Sequence, residues 1–445
     1  TSASSNSTRP GLTTATQYSG EMVFRKVHGG EADPLVFRRR FFLLLILCGT
    51  GLYFFANIQR VAVPGAIFDL LQSDLHLSAP GVTALGSVFM YVYALNQLLI
   101  GLFVSRYGGR RVILPGGFLF CLGSLCFPLS SGGWLYFSRA LTGFGASSLY
   151  LALIDETIRA SRKNYAIAVS LVITAGYAGG IVANAPFVAL VRATGWQRAL
   201  LGVAAATILF YGLFVVFSSR RKLPPIRRDI PFRLTPFFQV LGERNNRMVF
   251  LFSGINFGLY YVIQTVIGKK FLEDFCGFSS LHAAWILSFT GLISAVAGTL
   301  LAVLSRMTGD RRSVFCRVAG TVSLTVFALI VLLLFFDIRS GWIALLFCLL
   351  AATGSMSSIV IPLLHDTNPR DLGGPAVCFM NFSFYLAVAV FGNLAGWLLK
   401  SFPPESVGGA LVYSRNSYLA VFSVLAFAST AVFLCAMKLR ERRSP

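Results

Sequence analysis

The sequence predicts an all-α polytopic membrane protein, twelve transmembrane helices in two pseudo-symmetric halves of six. Three observations carry that prediction. The composition is 56% hydrophobic and only 12% charged, with a mean hydropathy of +0.72, against roughly 25% charged residues in a soluble domain. Apolar runs recur from Phe41 to Met437, each near the roughly 20 residues that a hydrocarbon core of about 30 Å requires. The basic residues sit in short clusters between those runs. A backbone in lipid must satisfy its own hydrogen bonds, so the runs are expected to be helices.

The elements follow in chain order. Residues 1–40 are polar, lack an apolar stretch and read as a flexible cytoplasmic tail with no cleavable signal; Met22 is compatible with a shorter native start. The first half, 41–217, holds runs at about 41–68, 82–104, 110–128, 134–155, 166–190 and 199–217. Residues 218–247, SSRRKLPPIRRDIPFRLTPFFQVLGERNNR, are polar, basic and proline-bearing, and form the expected cytoplasmic linker. The second half, 248–437, holds runs at about 248–268, 283–304, 314–336, 342–363, 375–399 and 416–437, before a short tail at 438–445.

Charge sets the expected orientation. With the N-terminus inside, 29 of the 38 Lys and Arg residues fall in cytoplasmic segments, as the positive-inside rule requires. The seven outer ones are Arg192, Arg198, Lys269, Lys270, Arg339, Lys400 and Arg415. Both termini are therefore expected in the cytoplasm of a cell with this protein in its membrane, a bacterial inner membrane on this reading. The formal charge of +21 is thus topological and implies no nucleic-acid partner. The eight cysteines are scattered, without CxxC or metal-ligand spacing, and Cys276 is the one expected to be exposed. The four histidines lie outside the runs or at their ends, so neither a metal nor a catalytic constellation is indicated. No Walker A sequence is present, and no cofactor is implied.

The local motifs then narrow the class. Residues 101–111, GLFVSRYGGRR, follow the G-x-x-x-D-R-x-G-R-R pattern with Ser105 in place of the aspartate; Gly101, Arg106, Gly109, Arg110 and Arg111 match once one extra residue is allowed after Arg106. The matching connection of the second half, 304–315, carries Gly309-Asp310-Arg311-Arg312. RALTGFG at 139–145 is similar to R-x-x-x-G-x-G, and GWQR at 195–198 resembles a frequent GWR ending. IPLLHDTNPRDLGGPAVCFMNF at 361–382 is similar to a common bacterial facilitator pattern. Together these resemble the major facilitator superfamily across nearly the whole chain beyond the tail. NIQRVAVP at 57–64 resembles the first helix of its bacterial anion:cation symporter branch. The resemblance implies a carboxylate-binding role for Arg60. Gln59 and Ala146 stand where that branch has acids, so its proton coupling does not carry over.

One residue sharpens the expectation. Arg60 lies within the first run, and an arginine at the centre of a lipid-facing helix costs about 2.5–3.5 kcal/mol on insertion scales. Tyr53, Asn57 and Arg60 share one helical face. Similar polar stripes occur at Asn96 and Gln97 beside Tyr93, at Asn256, Tyr260 and Gln264, and at Asn381 and Tyr385. In the superfamily these helices surround a central cavity, which makes these residues and Arg139 the expected substrate contacts. Two roles stay open for Arg60: clamp for a substrate anion, or partner of Asp69 or Asp74 near the outer mouth. Arg139 is likewise open between substrate contact and structure. Arg106, Arg110, Asp155 and Asp310 are expected gating residues, with Asp155 paired to Arg106 or Arg110; a proton relay through Asp155 or Glu156 is the other reading. His365 and Asp366 are expected to face water.

The expected function is secondary transport of a small organic anion by alternating access, by a monomer and with a proton or sodium ion as coupling partner. Export of amphipathic compounds and a transporter-like receptor or scaffold are the alternatives.

Overall fold

The computed structural model describes residues 34–160, 165–220, 223, 226–227, 235–354, 356–369, 371–407 and 410–439. The expected tail up to residue 33, much of the 218–234 stretch and the end from 440 lie outside the described residues. Ten described helices are long and apolar enough to cross a membrane, and a bent pair makes an eleventh.

The first run forms α1 (Pro34–Ala62), shorter at its far end than the expected 41–68. Pro64 ends it, because a proline has no N–H to give and its ring crowds the carbonyl four residues back. A single turn at Gly65–Ile67 leads into a separate helix, α2 (Phe68–Leu75). Next come α3 (Ala79–Tyr107) and α4 (Gly109–Cys126). The fourth run is divided at Ser148 into α5 (Gly133–Ser147) and α6 (Leu149–Ala160). The fifth is divided into α7 (Tyr165–Val182) and α8 (Ala185–Thr194), with Pro186 in the first turn of α8 and a 47° bend. The sixth is α9 (Trp196–Ser219).

Within the expected linker a short helix, α10 (Thr235–Gly242), packs Phe237 and Val240 inward. The seventh run is longer than the sequence reading allowed. It runs as α11 (Arg244–Val262), a π-turn at Ile263–Ile267, and α12 (Gly268–Asp274). It takes in Lys269 and Lys270, expected in a loop, because each finds a carboxylate one turn on. Then follow α13 (Ser280–Met307), α14 (Arg312–Phe335), α15 (Trp342–Gly354), α16 (Ser357–Thr367), α17 (Gly373–Lys400) and α18 (Arg415–Lys438). An antiparallel hairpin, β1 (Glu405–Val407) with β2 (Ala410–Val412), precedes α18. Its charge-poor, turn-rich sequence carries no helical period and was not anticipated. Cys276 is half-buried rather than exposed.

Two ends of the bundle can be distinguished by connectivity. The proximal end holds the α3–α4 turn and the C-termini of α6 and α16. The distal end holds α2, the C-terminus of α12 and the hairpin. The first six segments meet the last six along α3 and α17, where Ser87 Oγ donates to the Ala389 carbonyl at 2.9 Å. Near the distal end the α1 break sits against the π-turn. A Cβ on Gly65 would lie 2.6 Å from the Thr265 carbonyl oxygen, so only glycine permits that approach.

Candidate functional site

The polar stripes converge on one cavity of about 260 Å³. Its wall runs from Arg60, Gln264 and Gly291 toward the proximal end at Leu151, Ile361 and Val377. Of the expected contacts, Tyr53, Asn57, Arg60, Gln97, Tyr260, Gln264, Asn381 and Tyr385 line it. Asn96, Asn256 and Arg139 do not. Asn96 donates to Ser147 Oγ and the Phe144 carbonyl, and Asn256 donates to the Thr353 carbonyl, so both tie neighbouring helices together. The sequence reading left out Tyr150, Tyr177, Phe257, Tyr261 and Phe384 of the lining. Aromatic residues in an apolar run look like lipid-facing or core material, and nothing in the sequence marks which ones face a cavity.

Arg60 is the site's only formal charge among the described lining residues. It stands in the last turn of α1, where the helix's own carbonyls end. Its Nη1 donates to the Tyr385 hydroxyl at 3.0 Å and its Nη2 to Asn57 Oδ1. Asn57 is itself held by a bond from Nδ2 to the Tyr53 carbonyl at 2.8 Å. The guanidinium lies 5.5–5.7 Å from the ring centres of Tyr93, Tyr261 and Tyr385, and such rings attract a cation by their quadrupole. Its Nε is buried with no hydrogen-bond partner. Neither acid considered for it at the outer mouth reaches it: Asp69 pairs with Lys270 at 2.6 Å, and Asp74 accepts from Trp196 Nε1 at 2.8 Å.

Arg139 is placed quite differently. It is fully buried on α5 and donates to three main-chain carbonyls, of Gln59, Val63 and Leu85, at 3.1, 3.1 and 3.3 Å. Phe89 lies 4.6 Å from its guanidinium carbon. Carbonyls at a helix end lose their intrahelical donors, and Arg139 supplies donors where α1 stops. Its donors thus go to the main chain, and it is not among the residues that line the cavity.

The family model for the major facilitator superfamily matches residues 45–392, more than half of the chain. The chain belongs to the major facilitator superfamily. It is therefore a membrane transporter rather than an enzyme. Among curated proteins it is 25% identical over 391 residues to the inner membrane transport protein YajR of Escherichia coli, covering 81% of this chain and 82% of that one. It is 24% identical over 188 residues to a chloroplastic ascorbate transporter of Arabidopsis thaliana, covering 41% of this chain and 34% of that one. Solved transporter structures share the fold. A bacterial homologue of the human lysosomal transporter Spinster, inward-facing and unoccupied, superposes with a TM-score of 0.69 at 14% identity, over 93% of this chain and all of that one. A POT family transporter in complex with 5-aminolevulinic acid gives 0.71 at 12% identity, over 90% and 97%.

The superfamily motif at the proximal end has its own arrangement in this member. Ser105 donates to the Gly101 carbonyl of its own helix. The α4 N-terminus, with its unpaired N–H groups, is met instead by two carboxylates of α6. Gly109 N–H donates to Asp155 Oδ2 at 3.0 Å, and Arg110 N–H to Glu156 Oε1 at 3.1 Å. Negative charge is favourable there because it opposes the positive end of the helix dipole. The acid paired with the Arg110 side chain is Glu156, at 3.4 Å, and not Asp155. Asp155 pairs with Arg159 one turn along, at 2.8 Å. Successive residues on a helix point about 100° apart, so only one of the two acids can face Arg110. Arg106 has no acid within ion-pair distance among the described residues and sits over Tyr107. In the second half Asp310 reaches Arg312 at 3.4 Å, and Arg312 also pairs with Asp366, which therefore does more than face water.

At the distal end one ion pair, Lys270 with Asp69, crosses between the halves. Lys270 of α12, 2% exposed, lies 2.6 Å from Asp69 of α2 and 2.8 Å from Asp274. Tyr418 Oη and the Tyr413 N–H both donate to Asp274, and Gln72 Nε2 donates to Tyr413 Oη. Burial raises the Tyr413 phenol above its ordinary value, so it stays neutral as an acceptor.

Proposed function

We propose that this protein is a secondary transporter that carries a small organic anion by alternating access. One observation carries the reading: Arg60 lines the central cavity and, among the described residues, has no carboxylate partner and no acceptor for its Nε–H. Arginine suits an anionic substrate because its planar fork pairs bidentately with a carboxylate and it stays charged. The closed distal ion-pair layer, above a cavity that runs proximally, supports a state open toward the proximal end. With both termini cytoplasmic, as the charge distribution suggests, that state faces inward in a bacterial inner membrane. Coupling to a proton or sodium ion belongs to the same proposal, as does function as a monomer.

Export of amphipathic compounds is the second reading, favoured by the aromatic lining. It leaves Arg60 without a task. Uptake by reconstituted protein separates the two. Proteoliposomes with wild-type carrier should take up a carboxylate, and a folded Arg60→Ala carrier should not. Uptake unchanged in both Arg60→Ala and Arg60→Lys would remove the anion reading.

A further inference from the structure

We infer that the transported anion is a monoanion built on one flat aromatic ring, an aryl monocarboxylate. This deepens the organic-anion reading and rests on it. Charge sets the first limit. Arg60 is the only ionised residue among the described lining residues. A second negative charge on the ligand would have to leave water without a partner, which is costly in a low-dielectric site. One guanidinium matches one carboxylate.

The walls set the second limit. Nine of the lining side chains are Phe or Tyr, and six of them, Tyr93, Phe257, Tyr260, Tyr261, Phe384 and Tyr385, form a connected set. Phe257 stacks on Phe384 at 4.6 Å and 15°, and on Tyr261 at 4.9 Å and 18°. Tyr385 meets Phe257 edge-on at 5.8 Å and Tyr93 at 4.4 Å. The rings that hold the Arg60 guanidinium thus belong to the same array as those below it. A ligand whose carboxylate rests on Arg60 places its body against stacked rings, where offset and edge-to-face contacts favour another ring.

The polar inventory sets the third. A sugar acid or polyol needs many hydrogen-bond partners, and a buried hydroxyl left without one is penalised. Three of the four amides that line the cavity already give their N–H groups to the protein. Asn57 donates to the Tyr53 carbonyl, Gln97 to the Ser147 carbonyl and Gln264 to the Leu287 carbonyl. Size agrees with this. A cavity of about 150 Å³ holds benzene, so about 260 Å³ accommodates one ring, a carboxylate and a small substituent.

The test is equilibrium binding to purified full-length protein in nanodiscs at neutral pH. The probes are benzoate, 4-hydroxybenzoate and phenylacetate against cyclohexanecarboxylate, phthalate and benzamide. The aryl monocarboxylates should bind about three- to tenfold more tightly than cyclohexanecarboxylate, the factor one aromatic pair contributes. Phthalate should be weaker by about tenfold or more, as expected for a buried unpaired charge. Phe384→Leu should erase the aryl preference while keeping carboxylate binding, and Arg60→Gln should lose both. Equal binding of cyclohexanecarboxylate and benzoate would overturn the aromatic assignment and leave the anion reading standing. Tighter binding of phthalate would overturn the monoanion assignment. Benzamide binding as well as benzoate, unaffected by Arg60→Gln, would remove the anion reading itself. No binding by any aryl monocarboxylate would overturn the inference outright.

Discussion

Arg60 and Arg139 are two arginines inside apolar segments of one chain, and the fold treats them in opposite ways. Arg139 has three main-chain carbonyls and an aromatic face around it, and no solvent. Arg60 has a hydroxyl, an amide and three rings, an Nε–H without an acceptor, and a cavity in front of it. Both are permanent cations, so charge in the membrane does not by itself mark a binding residue. The distinguishing feature is whether the protein has already satisfied the donors. Arg139 serves the end of α1; Arg60 presents hydrogen-bonding capacity that a ligand can complete.

The comparison can be broken at several points. The largest effect is expected at Arg60 itself. Arg60→Ala should reduce anion uptake about 30-fold or more, since truncating a charge that pairs with a buried counter-charge costs about 2–5 kcal/mol. Its melting temperature in detergent should stay near that of wild type. Arg139→Ala should do the reverse and cost folded protein first. The carbonyls of Gln59 and Val63 at the end of α1 lose a donor, at about 1–3 kcal/mol for each left dry and unpaired. Size-exclusion profiles and melting curves report this, and a well-folded Arg139→Ala carrier with normal uptake would collapse the distinction.

Asp69→Asn tests the distal layer. It removes one of the two carboxylates on Lys270 and leaves Asp274. A loss of about 1–2 kcal/mol, a factor of roughly 5–30, should shift the population toward a distally open state. Spin-label distances between the α2 and α13 ends would lengthen. Gly109→Ala probes the proximal contact, where a Cβ would lie 2.1 Å from the Ala152 carbonyl oxygen. Forcing α4 from α6 should destabilise the protein by about 1–3 kcal/mol, read from thermal unfolding. The smallest effect belongs to Tyr385→Phe. It deletes one acceptor of Arg60, worth about 0.5–1.5 kcal/mol, and should change anion affinity only a few-fold in a binding titration.

Much of this was legible in the sequence for a physical reason. Lipid demands long apolar helices, so the spans announce themselves, and a cation inside one stands out against that background. The stripe Tyr53, Asn57, Arg60 shares a face because helical spacing is fixed, and all three line the cavity. What could not be read depends on partners distant in sequence. Whether Asp155 or Glu156 meets Arg110 is decided by the rotation of α6 against α4. That Lys270 is buried against the other half depends on Asp69, some 200 residues earlier. The aromatic lining was hidden because a phenylalanine facing a cavity and one facing lipid have the same local sequence.

The central claim is that Arg60 is the clamp for a substrate anion. The most direct measurement is a thermal-shift screen of purified wild-type and Arg60→Ala protein against small carboxylates, phosphates, sugars, amino acids and cationic drugs. A ligand that binds only the folded state raises its stability by mass action, by about 2.7 kcal/mol at a hundredfold excess over Kd. The account predicts that carboxylates stabilise the wild type and leave Arg60→Ala unmoved. Equal stabilisation of both proteins by neutral or cationic compounds, with no response to carboxylates, would contradict it.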